Sequence, residues 1–193
     1  VLLNNDTRVG PDFLRPLVAQ AELDKTIGSL SPRILMFDSP EIINSLGLEA
    51  SIIGAGWDKG IGLRSDAFAQ GNETILGVCG AAMFIRCSAL KDTRLLPDDF
   101  EIYLDDLDLS LRIWGAGYRI QRCDASVVYH KFSATMGAGN AARRKYYLNT
   151  RNRSRIVMRN FPLSAWPRAF SAFLLGECKA LGSAVRDGRY WVL

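Results

Sequence analysis

Histidine is almost missing from this chain: among 193 residues only His130 is one. The four cysteines, Cys79, Cys87, Cys123 and Cys178, form no Cys-x-x-Cys pair and share no regular spacing. These absences exclude a zinc site, which needs clustered thiolate and imidazole ligands. A domain of this length buries its own core without covalent staples, so the cysteines read as reduced thiols in a cytoplasmic protein. Long apolar runs are lacking too. Stretches such as Phe170–Gly176 fall far short of the roughly 18–20 residues a membrane-spanning helix needs. The opening Val1–Asp6 has no basic leader and no small-residue cleavage site, so it reads as a strand starting inside a fold rather than a secretory leader. With 48% hydrophobic and 23% charged residues, disordered and fibrous classes are excluded.

Acid is absent over one long segment. From Ala125 to Gly176 there is no Asp or Glu but there are nine Lys and Arg, which leaves 15 basic and 20 acidic residues elsewhere. The net charge of +4 therefore joins an acidic body to a basic C-terminal segment. Such asymmetry points to an anionic partner: nucleic acid, a lipid surface or a phosphorylated substrate, with a solvated helix face as the plain alternative. No groove-reading motif accompanies the basic run, so a nucleic-acid partner is not expected.

Periodicity places the elements. Val1–Leu3 reads as a strand, and Phe13, Leu14, Leu17 and Val18 share one helix face after Pro11. Thr26–Leu30 and Arg33–Phe37 are short strands separated by Ser31-Pro32, and residues 38–74 form a long ordered excursion rich in Gly, Asp, Ser and Asn. Excursions of that length are usually functional. Ile75–Arg86 is a strand in which Gly80-Ala81-Ala82 lets a neighbour approach the backbone closely. A helix begins at Asp105, with Leu104, Leu107, Leu111 and Trp114 at helical spacing, and Gly115 and Gly117 stop it. Tyr118–Ile120 and Ser126–Tyr129 are strands; helices follow over 141–160 and 165–185, broken at Phe161-Pro162.

Three clusters carry chemistry. Asn4-Asn5-Asp6 follows a strand, where an acid meets ligands bound beyond the strand's carboxyl end. Asp with amide oxygens suits Mg2+ or Mn2+ shared with phosphates, and a turn or helix cap is the plain alternative. Asp98–Asp108 holds six acids and no base. Capping explains one of Asp105, Asp106 and Asp108, and Asp108 with Arg112 is spaced for an i,i+4 pair. Asp106 lies off the leucine stripe and projects toward the sheet edge, where a carboxylate can take a proton from a hydroxyl. His130 ends a strand and is a candidate metal ligand.

In this order Leu2-Leu3-Asn4-Asn5-Asp6-Thr7, Gly77–Arg86, Phe100–Arg112, Gly115–Ile120 and Val128–Ser133 resemble family 2 glycosyltransferases. The pattern is similar above all to the bacterial rhamnosyltransferase-like and galactofuranosyltransferase-like enzymes. The resemblance implies an α/β GT-A fold, a mixed sheet flanked by helices, over 1–140, with a basic amphipathic helical segment over 141–193. It implies a nucleotide-sugar donor, a glycan or lipid-linked acceptor hydroxyl, inversion and a divalent cation. Asp106 matches the catalytic base, with Asp105 where Glu is commoner. Asp6 matches the kept carboxylate of the metal motif, with Asn4 replacing its first acid, and His130 matches a metal- or diphosphate-contacting histidine. Asn4, Asn5, Gly80, Ala81 and Asp105 are expected on the substrate. Family members begin with about 80–90 further residues that hold the nucleotide, which this chain is expected to lack. An inert interaction or membrane-surface module derived from such an enzyme is the alternative. The mixture of bases with Tyr146, Tyr147, Leu148, Ile156, Val157 and Met158 leads us to expect residues 143–159 on an anionic membrane at its cytoplasmic face. The opposing reading packs those apolar positions against the catalytic domain.

Overall fold

The computed structural model describes residues 1–94, 96, 98–131 and 140–188. In chain order the elements are β1 (Leu2–Leu3), β2 (Thr7–Val9), α1 (Leu14–Leu23), β3 (Ile27–Met36), β4 (Ile43–Ser45), β5 (Leu48–Ala50) and β6 (Gly56–Asp58). They continue with β7 (Ala82–Ile85), α2 (Cys87–Thr93), α3 (Asp105–Gly115), β8 (Arg119–His130), α4 (Asn140–Asn160) and α5 (Trp166–Arg186). One mixed sheet runs β1-β7-β3-β8-β2, with β4 added to β3, and only β3 with β8 is parallel. The expected mixed sheet flanked by helices is what the chain forms.

β3 is buried along all but its last residue, as a central strand covered on both faces must be. The expected break at Ser31-Pro32 does not occur. The ladder with β8 shifts register between Pro32 and Arg33, so that Pro32 faces Cys123 and Arg33 faces Val127. A bulge is where a strand tolerates a residue without an N–H. The same irregularity merges the two strands expected at 118–120 and 126–129 into the single β8. Inside it the Asp124 carboxylate accepts from the Gly71 N–H at 2.8 Å and pairs with Arg122 at 2.7 Å.

The excursion at 38–74 is ordered. It supplies β4, the β5–β6 hairpin and one 3-10 turn at Ser65–Ala67. Of the strand expected over 75–86 only β7 pairs with β1 and β3; the helix α2 that follows it carries no strong periodic signal. α3 starts and stops where expected, Gly117 taking the positive φ.

α4 departs from its expected role. Leu148, Ile156 and Val157 are buried, and Ile156 joins the core of Phe100, Leu104 and Leu107. The expectation that this helix lays its apolar face on a lipid surface is therefore corrected for Leu148, Ile156 and Val157, which cover the chain's own core, while Tyr147 and Met158 stay exposed. Asn152 has no exposed surface, and its Nδ2 donates to the carbonyls of Phe100, Ile102 and Tyr103 at 3.0, 3.0 and 2.8 Å. Arg151 reaches Glu101 at 2.8 Å, Arg159 reaches Asp99 at 3.4 Å, and Arg155 bonds the Asp99 carbonyl. Arg153 pairs with Glu177 of α5 at 3.5 Å. The acidic run and the basic run thus meet each other.

Replacing Asn152 leaves buried carbonyls unpaired, which costs about 2–3 kcal/mol. Asn152→Ala should lower the unfolding free energy by that amount in urea titrations. Asn149→Ala, which removes a bond only to Lys145 of the same helix, should shift it by less than about 0.5 kcal/mol.

Candidate active site

A cavity of about 510 Å3 opens between β1, β6 and the N-terminus of α3. The loop entering α3 holds Glu101, Tyr103 and Leu104 at φ of 62°, 71° and 64°, a region L residues rarely occupy. α3 then places three carboxylates in its first turn, where the helix dipole favours negative charge. They part company. Asp108 turns inward with no exposed surface, bound by Arg112 at 2.8 Å and by the Asn160 amide at 2.9 Å. That one is structural. Asp105 and Asp106 line the cavity.

Asp106 is aimed by two backbone donors. Its Oδ2 accepts from the Gly80 N–H at 2.9 Å and its Oδ1 from the Leu107 N–H at 2.8 Å. A Cβ on Gly80 would stand 3.3 Å from Oδ2, and one on Gly77 would stand 2.8 Å from the Ser110 hydroxyl. The close approach anticipated at Gly80 is thus made by α3 itself. Ser110 secures the contact, accepting from the Val78 N–H at 3.1 Å and donating to the Asp106 carbonyl at 2.7 Å.

Burial, and then the neighbouring Asp105 charge, push the Asp106 carboxyl up from 3.8 to about 7, against the pull of the Gly80 N–H. Burial also raises Asp105 and Asp58. Cys79, enclosed beside them, is pushed well above its ordinary value by burial, so it is no nucleophile.

His130 borders the cavity, and β2 pairs with β8 so that Thr7 faces His130, which brings the preceding Asp6, itself outside the cavity lining, to the imidazole. Asp6 Oδ1 lies 3.3 Å from His130 Nε2 and is buried without a hydrogen-bond partner. An orphaned carboxylate oxygen facing an imidazole nitrogen is a donor set a divalent cation fits. Among the described residues no three His, Cys, Asp or Glu side chains converge. A cation here would have two protein ligands and complete its shell with phosphate and water, the usual habit of Mg2+.

The other expected residues separate. Asn4 and Ala81 line the cavity; Asn4 also forms the turn, its N–H donating to the Ala81 carbonyl at 3.0 Å and its carbonyl accepting from Thr7. Asn5 is exposed and does not border the cavity: the turn that carries Asp6 inward carries Asn5 outward. The Gly80 N–H is engaged by Asp106. Phe132 and Ser133 of the last motif lie outside the described residues. Sequence reasoning missed Asn44 and Asp58, both on the cavity wall. A lone Asn within Ile42-Ile43-Asn44-Ser45-Leu46 was the available signal for the first; Asp58 had none.

A carboxyl raised on folding favours the folded state fully below its unfolded value of 3.8 and loses that contribution as pH climbs to about 7. The whole shift corresponds to roughly 4 kcal/mol, and the partial exposure of the side chain reduces it to about 1–2 kcal/mol. Asp106→Asn should therefore stabilise the protein by that amount at pH 8 relative to pH 5 in urea unfolding; a difference that does not vary with pH would contradict the burial.

The sequence profile of glycosyl transferase family group 2 matches residues 1–193. No curated protein matches the chain by sequence. Among solved structures, the crystal structure of GalNAc-T7 with UDP, GalNAc and Mn2+ is similar, with a TM-score of 0.58 and 18% identity. The match covers 81% of this chain and 30% of that one, so this chain spans under a third of that protein's length. At such identity the likeness speaks to the fold, which is GT-A-like.

Proposed function

The chain belongs to glycosyl transferase family group 2, and on that premise we propose that it carries the base and the cation pair of a nucleotide-sugar-dependent, inverting glycosyltransferase. The observation that carries this reading is Asp106: an enclosed carboxylate, aimed by Gly80, whose proton affinity lies near neutrality. A general base works best when its pKa lies near the operating pH. Asp106 takes the proton of an acceptor hydroxyl as that oxygen bonds to the anomeric carbon. The bond from the same carbon to the nucleotide breaks, and its electron pair leaves on the diphosphate. Asp105, half-buried beside the base, keeps the proton affinity of Asp106 high. Asp6 and His130 would hold the Mg2+ or Mn2+, which supplies positive charge against the leaving diphosphate. The solved relative's UDP and Mn2+ support a nucleotide-sugar donor here. The motif pattern favours a rhamnosyl- or galactofuranosyl-type sugar and a glycan or lipid-linked acceptor.

The test is transfer from a nucleotide-sugar panel, with the longest gene product that contains this chain. Asp106→Asn should lower turnover about 10²–10⁴-fold with donor affinity kept, and wild-type kcat should fall as pH drops below about 7. Turnover that survives Asp106→Asn and dies in Asp105→Asn would move the base by one residue.

We also propose that the enzyme works against a lipid surface, through α5 rather than α4. Among the described residues no helix is long and apolar enough to cross a membrane. Leu174, Leu175, Leu181 and Val185 are 63, 63, 44 and 49% exposed; Leu174, Leu181 and Val185 recur at helical spacing, with Leu175 at the edge of that face. The lone acid of α5, Glu177, turns inward to Tyr146 at 2.7 Å, while Arg168, Lys179 and Arg186 are exposed. An apolar stripe flanked by bases suits an anionic interface. Co-sedimentation should require vesicles with anionic lipid, weaken with salt, and fall in the double variant Leu174→Ser, Leu175→Ser. Equal partition onto neutral vesicles would contradict it.

A further inference from the structure

Asn44 sits on β4, with 1% of its surface exposed, and its Oδ1 lies 2.6 Å from His130 Nδ1. The backbone around that imidazole is already fixed: the Phe37 N–H donates to the His130 carbonyl at 3.0 Å, and the Lys131 N–H donates to the Asp6 carbonyl at 3.1 Å. What the backbone leaves open is which ring nitrogen carries the proton. A contact of 2.6 Å to an amide oxygen is a hydrogen bond only when Nδ1 is the donor. In the uncharged ring Nε2 then keeps its lone pair, and it faces Asp6 Oδ1, a second acceptor, at 3.3 Å. Two acceptors held face to face, one of them buried and unpartnered, repel each other unless positive charge lies between them, either a metal ion or the second proton of an imidazolium.

The amide's other end argues against a purely structural Asn. Asn44 Nδ2 is buried with no hydrogen-bond partner on the wall of the cavity. An Asn kept for strand stability would pair both ends, because a buried unpaired donor is a net loss. The competing arrangement reverses the amide: Nδ2 donates to Nδ1 and Nε2–H donates to Asp6. That chain, like an imidazolium donating to both Asn44 Oδ1 and Asp6 Oδ1, is closed structural hydrogen bonding with no lone pair left for a ligand.

We propose that Asn44 is a positioning residue: its Oδ1 holds the His130 proton on Nδ1, so that Nε2 and Asp6 Oδ1 are presented together to one divalent cation. The outer partner of a metal-binding histidine commonly does this, fixing tautomer and ring plane. The proposal rests on the transfer reading for why a cation is needed, but its test does not depend on turnover.

His130 is the chain's sole histidine, so ¹⁵N-histidine labelling gives one imidazole whose two nitrogens report the tautomer directly. In its uncharged form the wild-type ring should show a protonated Nδ1 and an unprotonated Nε2. Asn44→Leu should lose that preference and bind Mn2+ about 10–100-fold more weakly by electron paramagnetic resonance titration. Asn44→Asp keeps an acceptor oxygen and should retain both the tautomer and Mn2+ affinity, which serves as the rescue should the leucine variant not fold. A wild type with Nε2 protonated, an Asn44→Leu variant with unchanged tautomer and Mn2+ affinity, or a wild type that binds no Mn2+ would each overturn the proposal. Normal tautomer and Mn2+ behaviour without any sugar transfer would instead refute the transfer reading and leave the role of Asn44 standing.

Discussion

Asn152 is one fully buried amide, yet it binds three carbonyls of a loop in which Glu101, Tyr103 and Leu104 all hold positive φ. Each such residue costs about 1–3 kcal/mol and persists only where surrounding structure over-determines it. α4 provides that surround: Asn152 from within, and Arg151, Arg155 and Arg159 from the rim. The loop fixes where α3 begins, and the start of α3 fixes Asp105 and Asp106 against Gly80. Loosening the grip would let the loop relax toward ordinary dihedrals and swing the carboxylates off the cavity. The basic helix therefore does its first work inside the molecule.

Placing a carboxylate there opposes folding and serves chemistry. Burial and like charges from Asp105 and Asp58 raise its proton affinity, which destabilises the ionised fold near neutral pH. Perturbed groups of this kind gather at functional sites because reactivity, rather than stability, is what their surroundings favour. The contrast with Asp108 is instructive. Two residues further along the same helix, a carboxylate with no exposed surface is met by a guanidinium and an amide and serves packing alone. The difference between the two lies in what faces them.

What could be read from the sequence was local. The start of α3, its glycine stop and the projection of Asp106 off the leucine stripe follow from spacing along one helix. Gly80 announced a close approach, although its visitor proved to be Asp106. The sheet was less legible: Pro32 breaks a strand by local rules, and only the bulge in β8 shows why it does not. The charge asymmetry was plain, but its principal partner, the acidic run at 98–108, lies about fifty residues away in the chain. Asn44 meets His130 across 86 residues, and Asp58 reaches the cavity through a hairpin with weak periodicity. Contacts of such separation are set by topology, which local patterns do not encode.

The proposed chemistry turns on one carboxyl group, and its titration can be observed by itself. The ¹³Cγ shift of Asp106, assigned by its loss in Asp106→Asn, can be followed across the pH range in the folded protein. A midpoint near 7 is the result expected of an enclosed carboxylate poised as a base. A midpoint in the ordinary carboxylate range, about 4, would show a solvated Asp106 and contradict the site as described.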